Sequence, residues 1–226
     1  MLDMCILCAY TCISMQELIR INTAVVGARG YSGLELCRIL MRHPATKLSA
    51  CFATSADWKL EELLPEGAGV PVLPMSELMS AVADIDVVFL ATPADVSMKL
   101  APELVAAGKK VIDLSGAYRL EADEFAQWYG HAHESKDLIA QASYGLVPWA
   151  KPMPAGAGLV ANPGCYATSV LMALIPVLRA GAIDPATLAI DAKSGTSGAG
   201  RKASEGLLFT EVDGECLPYR VGKHQH

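Results

Sequence analysis

A glycine-spaced turn set between a strand and a helix constrains this chain more than any other feature. Ile21-Asn22-Thr23-Ala24-Val25-Val26 is an apolar, β-branched run, and Gly27-Ala28-Arg29-Gly30-Tyr31-Ser32-Gly33 follows it directly. From Gly33 to Met41 the pattern turns helical, with Leu36, Cys37 and Leu40 on one face. Glycines spaced Gly-x-x-Gly-x-x-Gly let the backbone turn tightly and let a phosphate approach the amides that open the helix. The pattern therefore points to a pyrophosphate cradle at the front of a parallel sheet, the plain alternative being an ordinary βα turn.

The rest of the chain repeats that alternation. Lys47–Ala53, Val70–Leu73, Asp86–Ala91 and Lys110–Leu114 read as strands, and Ser76–Ala83 and Val96–Ala107 read as helices. Such βαβ repeats predict an α/β fold, a Rossmann-type doubly wound parallel sheet with helices on both faces. Near Tyr144–Leu159 the texture changes, with Pro148, Pro152 and Pro154 in a Gly/Ala stretch. The expected division is a leader at 1–20, a nucleotide-binding domain at 21–150 and a partial α+β catalytic domain at 151–226. In that last part the sequence predicts a helix from Ser169 to Leu178, a strand at Leu188–Ala192 and a loop at Ser194–Gly200.

With 52% hydrophobic and 19% charged residues, the chain has ample material for a core. A net charge of −6 offers no footprint for nucleic acid or an anionic membrane. No apolar run reaches membrane-spanning length, so the expected setting is the cytoplasm. The cysteines number seven and are scattered, which suits reduced thiols better than a disulfide framework. Cys5, Cys8 and Cys12 have no histidine nearby, and no metal site is expected. The first residues lack a basic n-region and a cleavage site, so they read as a non-native extension before Met15.

Among the thiols, Cys165 stands apart. It follows the turn Asn162-Pro163-Gly164 and opens an apolar helix, where free amides and the helix dipole favour a thiolate. Cys37 and Cys51 lie on a helix face and in a strand and read as core. A thiolate nucleophile needs a histidine. His43 reads as a helix end, His131 and His133 as solvated loop residues, and His224 and His226 as the better partners. Asp113-Leu114-Ser115-Gly116-Ala117-Tyr118-Arg119 leaves a strand through a small-residue turn to an arginine suited to an anion. Ser194-Gly195-Thr196-Ser197-Gly198-Ala199-Gly200-Arg201-Lys202 is a second anion-type loop, and each of the two has an ordinary surface loop as its bland alternative. Thr54 and Ser55 end the second strand with no acidic residue at its tip, which with Arg29 favours NADP over NAD, although Asp57 lies close. Thr92 and Pro93, after the Asp86 strand, are expected near the ribose or nicotinamide.

Together these segments resemble the N-acetyl-γ-glutamyl-phosphate reductases of arginine biosynthesis, relatives of the aspartate-semialdehyde dehydrogenases. The resemblance lies in Val26–Leu36, Asp86–Thr92, Val111–Arg119, Asn162–Thr168, Ser194–Ala203 and Tyr219–His226. It implies NADPH-dependent reduction of an acyl phosphate to a semialdehyde through a Cys165 thioester, with His226, or second His224, as acid/base. It further implies a cofactor site of Gly27, Arg29, Gly30, Tyr31, Ser32, Gly33, Thr54, Ser55, Thr92, Pro93, Ser197 and Gly198. Ser115, Arg119, Asn162, Gly195 and Tyr219 would bind substrate and phosphate. Family members run past the histidine pair and tend to be homo-oligomers, so the resemblance implies a C-terminally truncated chain. The alternatives are a sister reductase acting on an aminoadipyl or aspartyl phosphate, and a non-catalytic NADP-binding fragment.

Overall fold

A computed structural model describes residues 20–147, 149–150 and 156–222. The expected leader, apart from Arg20, and both His224 and His226 lie outside the described residues. The first half is built from β1 (Ile21–Val26), α1 (Tyr31–Arg42), β2 (Thr46–Ala53), β3 (Val72–Pro74), α2 (Leu78–Ala81), β4 (Val87–Leu90), α3 (Ala94–Ala106) and β5 (Lys110–Asp113). There follow α4 (Ala122–Tyr129), α5 (Lys136–Ile139), β6 (Ser143–Tyr144), β7 (Leu159–Ala161), α6 (Cys165–Arg179) and α7 (Phe209–Val212).

The strands make one parallel sheet in the order β3-β2-β1-β4-β5-β7-β6. This is the doubly wound arrangement, with the strand order reversing at β1 and β4, where such sheets bind ligands beyond their carboxyl ends. Alternate residues of β1 supply two cores. Ala24 and Val26 join Phe52, Val88, Leu90, Met98 and Leu104 on one face, while Val25 joins Cys37, Leu40, Cys51 and Trp58 under α1 on the other. The sheet continues across the division expected at 150, because β7 pairs with β5 through Val111–Asp113 and Leu159–Ala161.

Two expectations need correcting. Leu188–Ala192 is not a strand: it lacks a ladder partner among the described residues, and Ile190 is 59% exposed. His133 is not solvated but 3% exposed. Its ring stands edge-on to Phe125 and Tyr118, with centroids 4.9 and 5.1 Å away. It donates from Nε2 to the Ala117 carbonyl at 2.9 Å, and its Nδ1 accepts from the Ser135 amide at 3.0 Å. That tautomer is the neutral one, and burial pulls the His133 pKa below its ordinary 6.5.

The turn after β1 has no room for side chains. Gly27 has φ 85°, and a β-carbon there would lie 2.3 Å from the Ala91 carbonyl oxygen. A β-carbon on Gly33 would stand 2.3 Å from the Gly27 oxygen. Gly27→Ala combines backbone strain with overlap on β4 and is expected to cost about 3 kcal/mol in a urea titration. A second prediction concerns pH. Between the lowered His133 pKa and 6.5 the unfolded chain binds the extra proton, so this group's contribution to stability falls as pH drops through that window. His133→Gln is expected to flatten that part of the pH–stability curve, as followed by urea midpoints.

Candidate active site

The carboxyl ends of β1, β4, β5 and β7 present four consecutive turns, which hold twelve of the twenty residues singled out from the sequence. The first is the cradle. Gly27 donates its amide to Phe52 O at 2.8 Å and accepts from the Gly30 amide at 3.1 Å. Gly30 is the residue before α1, and Tyr31 and Ser32 open that helix exposed, where its first amides have no partner within the helix. The backbone can approach a diphosphate closely only because no β-carbon stands at Gly27 or Gly33, and the cradle therefore fits a dinucleotide.

Beside the cradle, Arg29 places its guanidinium 6.0 Å over the Trp58 ring, and Trp58 Nε1 donates to Ser55 O at 3.0 Å. The Ser55 hydroxyl donates to the Asp57 carboxylate, which that bond above all, with its own amide and Arg29, holds below the usual range. Thr54 and Ser55 are exposed at the end of β2. Thr92 follows β4, its hydroxyl 2.8 Å from that of Ser97 in the first turn of α3, and Pro93 is the residue preceding that helix.

After β5 the chain folds around a buried charge. Asp113 is 0% exposed and accepts from the Ser115 amide at 3.0 Å and the Ser115 hydroxyl at 2.7 Å. The Ser115 oxygen in turn accepts from the Ala117 amide at 3.0 Å, so this hydroxyl is committed within the turn. Burial pushes the Asp113 pKa up, against hydrogen bonds from Ser115 and Ser97 and the field of Arg119. Arg119 then reaches back, Nε donating to Asn162 O at 2.7 Å and Nη2 to Leu114 O at 2.6 Å.

Beyond β7, Asn162-Pro163-Gly164 leads into α6, whose first residue is Cys165. The thiol is exposed, in contrast to buried Cys37 and Cys51. Amides of a helix's first turn have no partner within it, so Cys165 sits where a thiolate and an acyl oxygen would meet donors. The Tyr166 hydroxyl foremost pushes the Tyr219 pKa up, and Cys165 adds to the effect. Tyr219 is thus brought near Tyr166, the neighbour of Cys165 in the chain, from far along the sequence.

Gly195 precedes a 3-10 turn, Thr196–Ala199, that carries Ser197 and Gly198, all exposed. The loop is tied to the cradle by Arg201, whose Nη1 donates to Arg29 O at 2.7 Å and whose guanidinium lies 5.7 Å over the Tyr31 ring. Both anion-type loops therefore converge on the crevice. Sequence reasoning included Asp113 and Arg201 in its two anion-type segments without giving either a role of its own, and it passed over Ser97 and Trp58. The Asp-x-Ser spacing of an Asx turn could have marked Asp113. Nothing local marks Ser97 or Trp58. Among the described residues no cluster of ligating side chains forms a metal site, and no helix is long and apolar enough to cross a membrane.

Residues 22–153 match the model of the semialdehyde dehydrogenase NAD binding domain, and residues 165–226 that of the semialdehyde dehydrogenase dimerisation domain. The N-acetyl-gamma-glutamyl-phosphate reductase of Geobacillus stearothermophilus is 44% identical over 208 residues, covering 91% of this chain and 60% of its own length. That of Brevibacillus brevis is 41% identical over 210 residues, covering 91% and 61%. The chain thus spans about three fifths of the length of the curated relatives it matches. Aspartate semialdehyde dehydrogenase II from Vibrio cholerae shares the fold, at a TM-score of 0.51 and 20% identity, over 71% of this chain and 43% of its own. A glycine cradle under a doubly wound sheet, matched by the NAD binding domain model over residues 22–153, makes this chain a member of the semialdehyde dehydrogenase family.

Proposed function

We propose that the chain carries the catalytic thiol and cofactor cradle of an NADPH-dependent reductase that converts N-acetyl-glutamyl 5-phosphate to the 5-semialdehyde in arginine biosynthesis. The observation that carries this reading is Cys165, an exposed thiol at the first residue of α6, set beside Arg119 at the crevice that the cradle opens into. The 41–44% identity to named reductases supports the substrate class.

The chemistry follows from the residues. Cys165 Sγ attacks the acyl carbon, the carbon–oxygen bond to phosphate breaks, and phosphate leaves with that electron pair. Arg119 keeps donors on Nη1 and one on Nη2 that its backbone contacts do not use, and these face the departing dianion. A bound NADPH, held by the Gly27–Gly33 cradle, would supply the hydride that reduces the thioester carbon. The resulting thiohemiacetal then collapses, the carbon–sulfur bond breaks, and the semialdehyde departs. First-turn amides of α6 hold the oxygen on which charge develops. His226, or otherwise His224, takes the thiol proton and manages the proton of the collapsing adduct. Asn162, Gly195 and Tyr219 border the acyl chain, and Ser115 holds the turn that presents Arg119.

Arg29 and Thr54 offer donors to a 2′-phosphate, while the Ser55 hydroxyl is spent on Asp57 and keeps that carboxylate occupied. This favours NADP(H) over NAD(H). The match of 165–226 to a dimerisation domain supports a homo-oligomer, and the free thiols support a reducing, cytoplasmic setting.

In the oxidative direction, N-acetylglutamate 5-semialdehyde with phosphate and NADP is expected to yield NADPH, and Cys165→Ser to lower the rate by about a thousandfold or more. Turnover confined to aspartate semialdehyde, or a Cys165→Ser variant equal to wild type, overturns the reading. Arg29→Ala is expected to weaken NADPH binding about tenfold while leaving NADH binding unchanged, as measured by cofactor fluorescence titration.

A further inference from the structure

The geometry points to Arg119 as a positioning residue for Cys165 in addition to any contact with substrate: its guanidinium clamps the end of β5 to the turn that launches α6. The inference rests on the reading of Cys165 as nucleophile, yet its argument needs no bound ligand. Parallel strands β5 and β7 stop side by side, and the carbonyls just past their ends, Leu114 O and Asn162 O, leave the sheet with no further strand residue to pair with. Arg119 Nε and Nη2 lie on one edge of the planar guanidinium, and that edge spans the pair, at 2.7 Å to Asn162 O and 2.6 Å to Leu114 O. The arrangement extends the ladder by one rung made of side chain. Its neighbour rung is the backbone bond from Asn162 N to Asp113 O at 2.8 Å.

Position follows from this. Asn162 is three residues before Cys165, and Gly164 is its immediate neighbour. A β-carbon on Gly164 would stand 3.0 Å from Arg119 Nη1, so the guanidinium packs against the backbone that precedes the thiol. Arg119 is itself held by the Asp113–Ser115–Ala117 turn. A chain of direct contacts therefore runs from a buried carboxylate to the nucleophile's turn, and the edge bearing Nη1 remains for an anion. One arginine serves both tasks because its two donor edges face different ways. A lysine has the charge but lacks the rigid two-nitrogen edge.

The test is Arg119→Lys in the full chain, without substrate or cofactor. The rate of Cys165 alkylation by iodoacetamide is read by peptide mass against exposed Cys216 in the same molecule. Hydrogen exchange is followed at the amides of Asn162 and Thr168, which bond Asp113 O and Gly164 O, and at Ala24 and Val25 in β1 as reference. The expected result is a fall of about tenfold in Cys165 alkylation with Cys216 unchanged. Exchange at Asn162 and Thr168 should rise about tenfold or more, with β1 still protected. Wild-type behaviour at both readouts overturns the proposal and leaves Arg119 as an anion receptor alone. Slower alkylation without faster exchange, or the reverse, overturns it too, since the first is a charge effect and the second does not reach the thiol. General loss of protection that includes β1 also overturns it, as a role in the fold at large. None of these readouts involves turnover, so a chain that proved to reduce a different acyl phosphate would leave this result standing.

Discussion

The carboxylate of Asp113 organises the carboxyl edge of the sheet. It is wholly buried at the end of β5, and a charge removed from water costs several kcal/mol unless donors surround it. The donors come from both directions along the chain: the Ser115 amide and hydroxyl lie two residues on, and the Ser97 hydroxyl comes from the first turn of α3. Satisfying the charge thus forces the chain into a tight turn directly after β5. The same requirement reaches β4, because Ser97 is shared with Thr92 at 2.8 Å. Two strand ends and the start of α3 are fixed relative to one another by one buried acid. Arg119 leaves that turn aimed at β7, and so the position of the α6 turn descends from the same constraint.

The crevice is assembled from opposite ends of the described chain. The cradle needs glycine because Gly27 presses on Ala91 O and Gly33 presses on Gly27 O, closeness that brings backbone amides to a diphosphate. The Ser194–Lys202 loop has no core of its own, and its residues are exposed. Arg201 is what carries it to the cradle, through Arg29 O and the Tyr31 ring, 172 residues away in sequence. The glycine cradle and the Ser194–Lys202 loop are thereby joined by a single guanidinium.

How much of this was legible in the sequence depended on whether the deciding interaction was local. β1 was read with its observed ends, because β-branched residues running into glycines have one reading. Cys165 at a helix start was legible for the same reason, since Pro163-Gly164 stops one element and begins another. His133 was misread as solvated because Glu134, Ser135 and Lys136 are polar, whereas the Phe125 and Tyr118 rings that bury it come from elsewhere in the chain. Leu188–Ala192 has a strand's composition, but a strand exists only against a neighbour, and composition names no neighbour. Strands β6 and β7 went unnoticed at two and three residues, too short to show a period. Asp113 looked like an ordinary polar strand end because burial of a single carboxylate is a property of the assembled sheet.

The cysteines show how placement, and not residue type, sets chemistry here. Cys37 and Cys51 face each other across α1 and β2 with sulfurs 3.6 Å apart, both sealed from solvent. The hydrogen bond from Cys37, with burial, pushes the Cys51 thiol far up, so it stays protonated and inert. They behave as small apolar side chains that fill the space under α1 and so support the cradle from behind. Cys165 meets the reverse conditions: exposed, at the first residue of a fifteen-residue helix, beside an arginine whose carbonyl contacts fix the approach. The same sheet that buries two thiols beneath its surface delivers the third to its edge. That separation follows from position along the elements: Cys51 lies within β2 and Cys37 on the buried face of α1, whereas Cys165 comes after the carboxyl end of β7.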